Sequence, residues 1–245
     1  MLVKSKVKYI QTLGHKKFRD DEGVFIAEGP KLVKDLLGIK TVVIIEVFAT
    51  KDWITENADL LQEIPVIEIT EADLEKISQL TTPNKVLAIV RQFDNGQLPT
   101  ATGKVTLVLD NLQDPGNLGT IIRTADWFGV QEIICSLDTA DLYNPKVVQS
   151  TMGSLGRVKV FYTDLSKWLS AQKDVGIFAT TLKGKDIAGI AKVKEAIIVI
   201  GNESKGVSAE ILNLADVNIT IPQKGKAESL NAAVAAGIIL SHMII

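Results

Sequence analysis

The hydrophobic positions of this chain form short runs of branched side chains, separated by stretches with a helical period. From residue 105 onward the runs without a helical period predict six strands, at 105–110, 131–136, 157–162, 175–181, 196–201 and 217–222. The periodic stretches predict five helices, at 117–128, 144–153, 164–172, 207–213 and 228–243. Strands that alternate with helices in this way predict a mostly parallel sheet with helices on both faces.

The first part of the chain shows a shorter version of the same alternation. Strand-like runs at 23–29, 42–49, 66–69 and 86–90 are interleaved with helical segments, one of which opens with a proline at position 30. Residues 93–104 are polar, contain two glycines and a proline, and have no period. We therefore expect a smaller α/β domain at 1–92, a linker at 93–104 and a larger α/β domain at 105–245.

Three predicted strands of the larger domain end in polar loops that contain glycine, at 110–116, 201–208 and 221–231. The carboxyl ends of strands in an open α/β sheet are where ligands bind. Each loop also has a simpler explanation when taken alone. Arg123 would be a solvated side chain on an amphipathic helix, Glu203 would sit on a surface turn, and Ser229 and Asn231 would cap a helix. Together, the three loops predict a binding site.

The helix after the first loop has a clear polarity. Its apolar face carries Leu118, Ile121, Ile122, Ala125 and Phe128, and its other face carries Thr120, Arg123, Thr124 and Trp127. Asn117 is the predicted N-cap, and Gly129 stands where a C-terminal glycine would end the helix.

The net charge of the chain and the distribution of its basic residues bear on whether it binds nucleic acid. The chain has 245 residues, 46% hydrophobic and 23% charged, with a net charge of −2, so no global charge indicates nucleic acid. Residues 1–19 hold six Lys or Arg and no acidic residue. This cluster is either a phosphate-binding patch or a solvated basic terminus.

Other chemistry is excluded by what the sequence lacks. Cys135 is alone within an apolar run, which predicts a buried thiol and no disulfide. His15 and His242 lack partners at metal-ligand spacing, so no metal site is expected. The N-terminal residues lack the apolar run of a signal peptide, and the longest apolar stretch, 232–245, is too short to cross a bilayer. We expect a cytoplasmic protein with no membrane contact.

Three motifs carry a family resemblance. NLGTIIR at 117–123 has the pattern N-x-G-x-x-x-R, GNESKG at 201–206 has G-N-E-x-x-G, and Ile-Pro at 221–222 is followed by Ser-Leu-Asn at 229–231. Their order and spacing resemble those of the SpoU/TrmH family of RNA ribose 2′-O-methyltransferases. Residues 1–92, chiefly at 16–29, resemble an RNA-binding domain of the L7Ae/L30e type. Two positions depart from the family pattern: Lys85, where glycine is common, and Gln223, where methionine often follows Ile-Pro.

The resemblance implies S-adenosylmethionine as methyl donor, an RNA ribose as acceptor, a homodimer and a C-terminal trefoil knot. It implies cofactor contacts from Gly201, Ile221 and Leu230. The catalytic residues that it implies are Arg123, Asn117, Glu203, Ser229 and Asn231.

The family's proposed base is Arg123, but a guanidinium keeps its proton in almost all protein settings. We therefore expect Arg123 to orient a phosphate and to stabilise negative charge that develops on the ribose oxygen. Glu203 is a second candidate for accepting the proton.

The basic N-terminal cluster then suggests how RNA is held, with Lys16, Lys17 and Arg19 contacting phosphates. Ribosomal RNA is favoured over transfer RNA, because the first domain resembles a ribosomal protein. Three alternatives stay open at this point: transfer RNA as substrate, methylation of a base, and a non-catalytic RNA-binding protein that kept the fold.

Overall fold

The computed structural model describes residues 2–245, which form two compact units. The first unit comprises the chain up to Asp94 together with Asp141–Arg157, and the second comprises Asn95–Ala140 and Val158–Ile245. The chain up to Asp94 contains five α-helices and four strands. In chain order they are α1 (Lys4–Thr12), α2 (Lys16–Glu22), β1 (Val24–Glu28), α3 (Pro30–Leu37), β2 (Ile44–Ala49), α4 (Lys51–Glu56), β3 (Val66–Glu68), α5 (Glu71–Ile77) and β4 (Val86–Arg91).

The rest of the chain contains six strands and five α-helices. In chain order they are β5 (Val105–Leu109), α6 (Pro115–Trp127), β6 (Glu132–Ser136), α7 (Pro145–Thr151), β7 (Lys159–Thr163), α8 (Leu165–Ser170), β8 (Ile177–Asp186), β9 (Ala196–Ile200), α9 (Ala209–Leu212), β10 (Val217–Thr220) and α10 (Ala232–Ile244).

The first unit is built on a sheet in the order β1–β4–β2–β3. β4 runs antiparallel to both of its neighbours, and β2 and β3 are parallel. Every residue of β1 and the first five of β4 are buried, as expected for strands covered on both faces. One core cluster joins the sheet to α1 and α5 through Ile10, Phe48, Leu74 and Leu87.

Residues 141–157 belong to this first unit although they lie far along the chain. The ring of Tyr143 stacks on Phe25 with 4.9 Å between centroids, and its hydroxyl accepts a hydrogen bond from the Phe93 amide at 2.7 Å. Gly153 approaches α3 so closely that an added Cβ would lie 2.8 Å from the Asp35 side chain. The compact units therefore differ from the predicted division at 93–104, because tertiary packing returns this segment to the first unit.

The second unit confirms the predicted α/β fold class. Its sheet has the order β10–β8–β9–β5–β6–β7, and every neighbouring pair of strands is parallel. All six predicted strands are present, and β9 is buried at every position. The trefoil knot stays a prediction.

The start of α6 corrects one local prediction. Asn117 is not the N-cap; the cap is Asp114, whose Oδ1 accepts the Asn117 backbone N–H at 2.7 Å. Pro115 occupies the first helical turn, where its missing N–H costs nothing, so the helix begins earlier than the apolar pattern suggests. The Asn117 side chain is thereby free for other partners. Gly129 has φ of +74°, as predicted for a residue that ends a helix.

The last helix starts later than predicted, at Ala232 rather than 228, and Asn231 is its N-cap. The segment 222–231 before it is exposed. No helix within residues 2–245 is long and apolar enough to span a membrane.

Candidate active site

The loops that follow β5 and β9 are tied together at the carboxyl edge of the second unit's sheet. Asn111 has φ of +56°, a conformation that asparagine tolerates well, and its carbonyl accepts a hydrogen bond from Asn202 Nδ2 at 2.7 Å. The buried carboxylate of Asp110 accepts the Ser208 N–H at 2.7 Å. These two bonds fix the second motif against the loop that leads into α6.

Asn202 also shapes its own loop. Its Oδ1 accepts the backbone N–H groups of Ser204 and Lys205 at 2.9 and 3.0 Å, and its backbone pairs with Gly206. Gly201 is required for this tight turn, since an added Cβ would lie 2.2 Å from the Gly206 carbonyl carbon. Gly201 therefore allows close backbone approach, as its place at the end of a strand predicts.

The central feature is a chain of hydrogen bonds that joins the three motifs. Asn117 Nδ2 donates to Glu203 Oε1 at 3.0 Å, and Asn231 Nδ2 donates to Asn117 Oδ1 at 2.8 Å. Glu203 Oε1 also accepts the Asp114 N–H at 3.4 Å. Side chains that lie 86 and 114 residues apart along the sequence thus converge at one point.

Two other predicted catalytic residues lie outside this chain of bonds. Arg123 is exposed and follows Asn117 by six residues on α6, which places it about 9 Å along the helix and ~240° around it. The structure therefore does not join Arg123 to Glu203 within one copy of the protein. Ser229 is exposed on the segment that precedes α10.

The predicted cofactor residues have the character that an adenosyl ligand needs. Gly201 is buried, Ile221 is half-buried, and Leu230 exposes 48% of its surface. Sequence reasoning missed Thr181, whose buried Oγ1 has no hydrogen-bond partner within residues 2–245. Thr181 lies on β8, two residues beyond Ala179, the last residue of that strand that pairs with β9. Half-exposed apolar side chains and an unpaired hydroxyl fit a ligand with both apolar and polar edges.

Asp110 and Asn202 are the other residues that sequence reasoning missed. A signal was present for Asp110, because an acidic residue directly after an apolar strand must find a partner if it is buried. Asn202 stood inside the second motif, but nothing in the pattern indicated that its amide reaches Asn111. The structure assigns both of them to the support of the Glu203 loop.

The predicted RNA-binding residues lie in the first unit, and only two of the three are on its surface. Lys16 and Lys17 are exposed, and Lys16 pairs with Asp20 at 2.6 Å. Arg19 is buried, with 3% of its side chain exposed, and donates to the Leu13 and Gly14 carbonyls and to Asp141. The structure therefore does not support its predicted contact with an RNA phosphate, because the guanidinium is buried and both terminal nitrogens donate to groups of the protein.

The structure also bears on metal binding and on the reactivity of the cysteine. Within residues 2–245 no group of three His, Cys, Asp or Glu side chains is placed to hold a metal ion. Cys135 is fully buried, and this burial raises the pKa of its thiol well above the usual range, which makes it unreactive.

Comparison with known proteins settles the family. Residues 104–241, more than half of the chain, match the model of the SpoU rRNA methylase family. The chain belongs to this family. Residues 4–88 match the MRM3-like substrate binding domain, so the SpoU methylase part is preceded by a module of a described type.

Several relatives align with this SpoU family member along almost its whole length. The 23S rRNA (guanosine(2553)-2′-O)-methyltransferase RlmP of Bacillus subtilis is 33% identical over 241 residues, which cover 97% of this chain and 95% of that protein. An AdoMet-bound rRNA methyltransferase from Sinorhizobium meliloti has a TM-score of 0.86 at 34% identity, covering 99% of this chain and 95% of that one. A putative TrmH-family RNA methyltransferase from Porphyromonas gingivalis has a TM-score of 0.85 at 32% identity, covering 100% and 98%.

Proposed function

We propose that this protein transfers a methyl group from S-adenosylmethionine to a ribose 2′-hydroxyl in ribosomal RNA. The observation that carries the proposal is the hydrogen-bonded chain of Glu203, Asn117 and Asn231, which brings the three family motifs together at one edge of the sheet. The similarity to RlmP along almost the whole chain supports ribosomal RNA as the substrate class.

The cofactor supplies an electrophilic methyl on a sulfonium, and the protein must align it with the attacking oxygen. Gly201, Ile221 and Leu230 are the proposed cofactor contacts. Their backbone groups and apolar side chains would hold the adenosyl part and exclude water around it. Alignment of the two reactants can supply much of the rate enhancement in such a transfer.

The polar residues divide the remaining work. Arg123, exposed on α6, is proposed to hold an RNA phosphate and to stabilise the charge that develops on the ribose oxygen. Glu203, held by Asn117, is proposed to face the hydroxyl. Ser229 and Asn231 complete the set, and the position of Ser229 on the segment before α10 suits a contact with substrate.

A homodimer is part of the proposal, and the apolar surface of α10 supports it. Val234, Ile238 and Ile245 expose 52%, 39% and 62% of their surfaces. α10 packs against α6, where Trp127 is 83% exposed. An apolar surface of this kind on a folded domain marks an interaction site, and a second copy of the same helices would cover it.

Binding of the RNA is assigned to the first unit. Lys16 and Lys17 are the proposed phosphate contacts, and Arg19 is not among them. The match of residues 4–88 to a substrate binding domain supports this assignment. Folded RNA is recognised largely through backbone and shape, so a modest basic patch is sufficient. A cytoplasmic location fits a ribosomal RNA substrate.

One experiment tests the proposal directly. The purified protein is incubated with methyl-labelled S-adenosylmethionine and undermodified ribosomal RNA, with transfer RNA in a parallel reaction, and the labelled nucleotide is mapped. We expect label on a ribose of ribosomal RNA. Label confined to transfer RNA would show that the proposed substrate is wrong. Label on a base would show that the proposed site of methylation is wrong. Cofactor binding without label on any RNA would favour a non-catalytic RNA-binding protein.

A further inference from the structure

The start of α10 fixes which way the Asn231 amide points. Its Oδ1 accepts the backbone N–H groups of Ala233 and Val234 at 2.9 and 3.2 Å. Only the oxygen end of an asparagine amide can accept these bonds, since the NH₂ end is a donor. The helix cap therefore turns Nδ2 of Asn231 away from the helix and toward Asn117, 2.8 Å away.

The orientation of the Asn231 amide determines that of the Asn117 amide. Because Asn231 supplies a donor, the group of Asn117 that faces it must be the carbonyl oxygen Oδ1. The NH₂ group of Asn117 is then turned to Glu203, and Nδ2 donates to Oε1 at 3.0 Å. The orientation of each amide is set by the one before it, and the first is set by the backbone of α10.

The arrangement leaves one carboxylate oxygen of Glu203 available. Oε1 accepts from Asn117 Nδ2 and from the Asp114 N–H. Within residues 2–245 the other oxygen, Oε2, makes no hydrogen bond. Oε2 therefore remains an acceptor for whatever binds beside Glu203.

We propose that the cap of α10 drives a one-way hydrogen-bond relay, Asn231 to Asn117 to Glu203, which presents Glu203 Oε2 as the acceptor for the ribose 2′-hydroxyl. This inference rests on the proposed function. As the bond between the ribose oxygen and the methyl carbon forms, the methyl–sulfur bond breaks and its electron pair stays on sulfur. The hydroxyl proton passes to Glu203 Oε2. Asn231 and Asn117 are positioning residues that act through Glu203.

The substitution Asn231→Asp separates the relay from the helix cap. Aspartate caps helices as well as asparagine does but has no donor for Asn117. Asn117 then loses its fixed orientation and, with it, the aligned hydrogen bond to the Glu203 carboxylate, so kcat should fall about 10–100-fold. We expect the affinity for S-adenosylmethionine and the thermal midpoint to stay close to those of the wild type. Asn231→Ser, which also caps but is too short to reach Asn117, should show the same loss of kcat without adding a charge.

A double-mutant cycle tests whether Asn231 acts through Glu203. Glu203→Gln removes the carboxylate and should lower kcat strongly while the cofactor still binds. In the double variant Asn231→Asp with Glu203→Gln, the relay can run backward with every amide paired. The amide that replaces the Glu203 carboxylate then donates to Asn117, and Asn117 donates to the carboxylate that replaces the Asn231 amide. We expect the double variant to be no less active than Glu203→Gln alone and to have a thermal midpoint no lower than that of Asn231→Asp alone.

Asn144→Asp is the matched control, because Asn144 caps α7 in the first unit and its Oδ1 accepts the Lys146 N–H at 2.9 Å. It should leave kcat unchanged. Wild-type kcat in Asn231→Asp or in Glu203→Gln would overturn the relay, as would losses that multiply in the double variant. A wild-type enzyme that methylates no RNA would instead overturn the proposed function, so the two failures are distinguishable.

Discussion

Arg19 and Asp141, 122 residues apart along the chain, form a buried ion pair in the first unit, with 2.5 Å between the guanidinium Nη2 and Oδ2. The side chains are 3% and 17% exposed, and Arg19 Nη1 also binds two backbone carbonyls of the turn after α1. The pair therefore joins the segment 141–157 to the part of the chain that matches the substrate binding domain. The segment itself lies within the residues that match the methylase family.

Asp141→Ala should destabilise the protein by about 3–5 kcal/mol, because it leaves a buried guanidinium without its counter-charge. Urea unfolding measures the loss. The double variant Arg19→Met with Asp141→Ala should recover much of that stability, since it removes the unpaired charge. A loss below about 1 kcal/mol in Asp141→Ala would show that this pair contributes no more than a surface ion pair does.

Lys17→Gln should weaken RNA binding without affecting stability. The side chain is exposed on α2, so its loss removes the proposed phosphate contact and nothing from the core. The slope of log affinity against log salt should fall by about one for this single contact. Filter binding over a salt series measures it. Lys51→Gln, an exposed lysine at the start of α4, is the control and should leave the slope unchanged. An unaltered slope in Lys17→Gln would remove that residue from the RNA surface.

Arg123→Ala should lower kcat by roughly 100-fold or more, the cost of removing one group that stabilises charge in a transition state. Cofactor affinity should change little, because Arg123 is exposed on α6 and is not among the proposed cofactor contacts. Arg123→Lys should retain partial activity through its charge. Steady-state kinetics with calorimetric cofactor binding separates the two effects. A large loss of cofactor affinity in Arg123→Ala would contradict the assignment.

The sequence pattern was sufficient for the second unit's fold because buried parallel strands are continuous apolar runs, and all six appear in β5 to β10. It was also sufficient to bring Asn117, Glu203 and Asn231 to one edge of a sheet, because that edge is where strand-end loops meet. It could not show the bonds between their side chains. Those bonds form because Asp114 caps α6 in place of Asn117, which leaves the Asn117 amide free for other partners.

Contacts between distant segments were beyond the pattern. The run of lysines and arginine at 16–19 looks uniform in sequence, but α2 turns Arg19 inward to Asp141 while Lys17 stays outside. No local property of residues 141–157 indicates that Tyr143 stacks on Phe25. Predicting either contact requires the tertiary arrangement, since the partners are more than 100 residues apart.

Lys85 links sequence and structure at a single position. The family resemblance leads us to expect glycine at this position, and the φ of Lys85 is +57°, a conformation that glycine adopts without strain. Its ammonium pairs with Asp52 at 2.7 Å, but the two side chains are 40% and 55% exposed, so this pair adds little stability. The hydrogen bond from Lys85, with a smaller one from Thr50, lowers the pKa of Asp52 to about 2.

Lys85→Gly should therefore be close to the wild type in stability at low salt, since relief of strain offsets the lost ion pair. At high salt the ion pair is screened, so the glycine variant should become more stable relative to the wild type than it is at low salt. Lys85→Val should lose about 1–3 kcal/mol at every salt concentration, because a β-branched residue resists positive φ. Lys85→Asn, which tolerates this φ and removes only the charge, isolates the ion pair. Equal stability of the valine and glycine variants in urea unfolding would mean that the backbone at this turn adapts without cost.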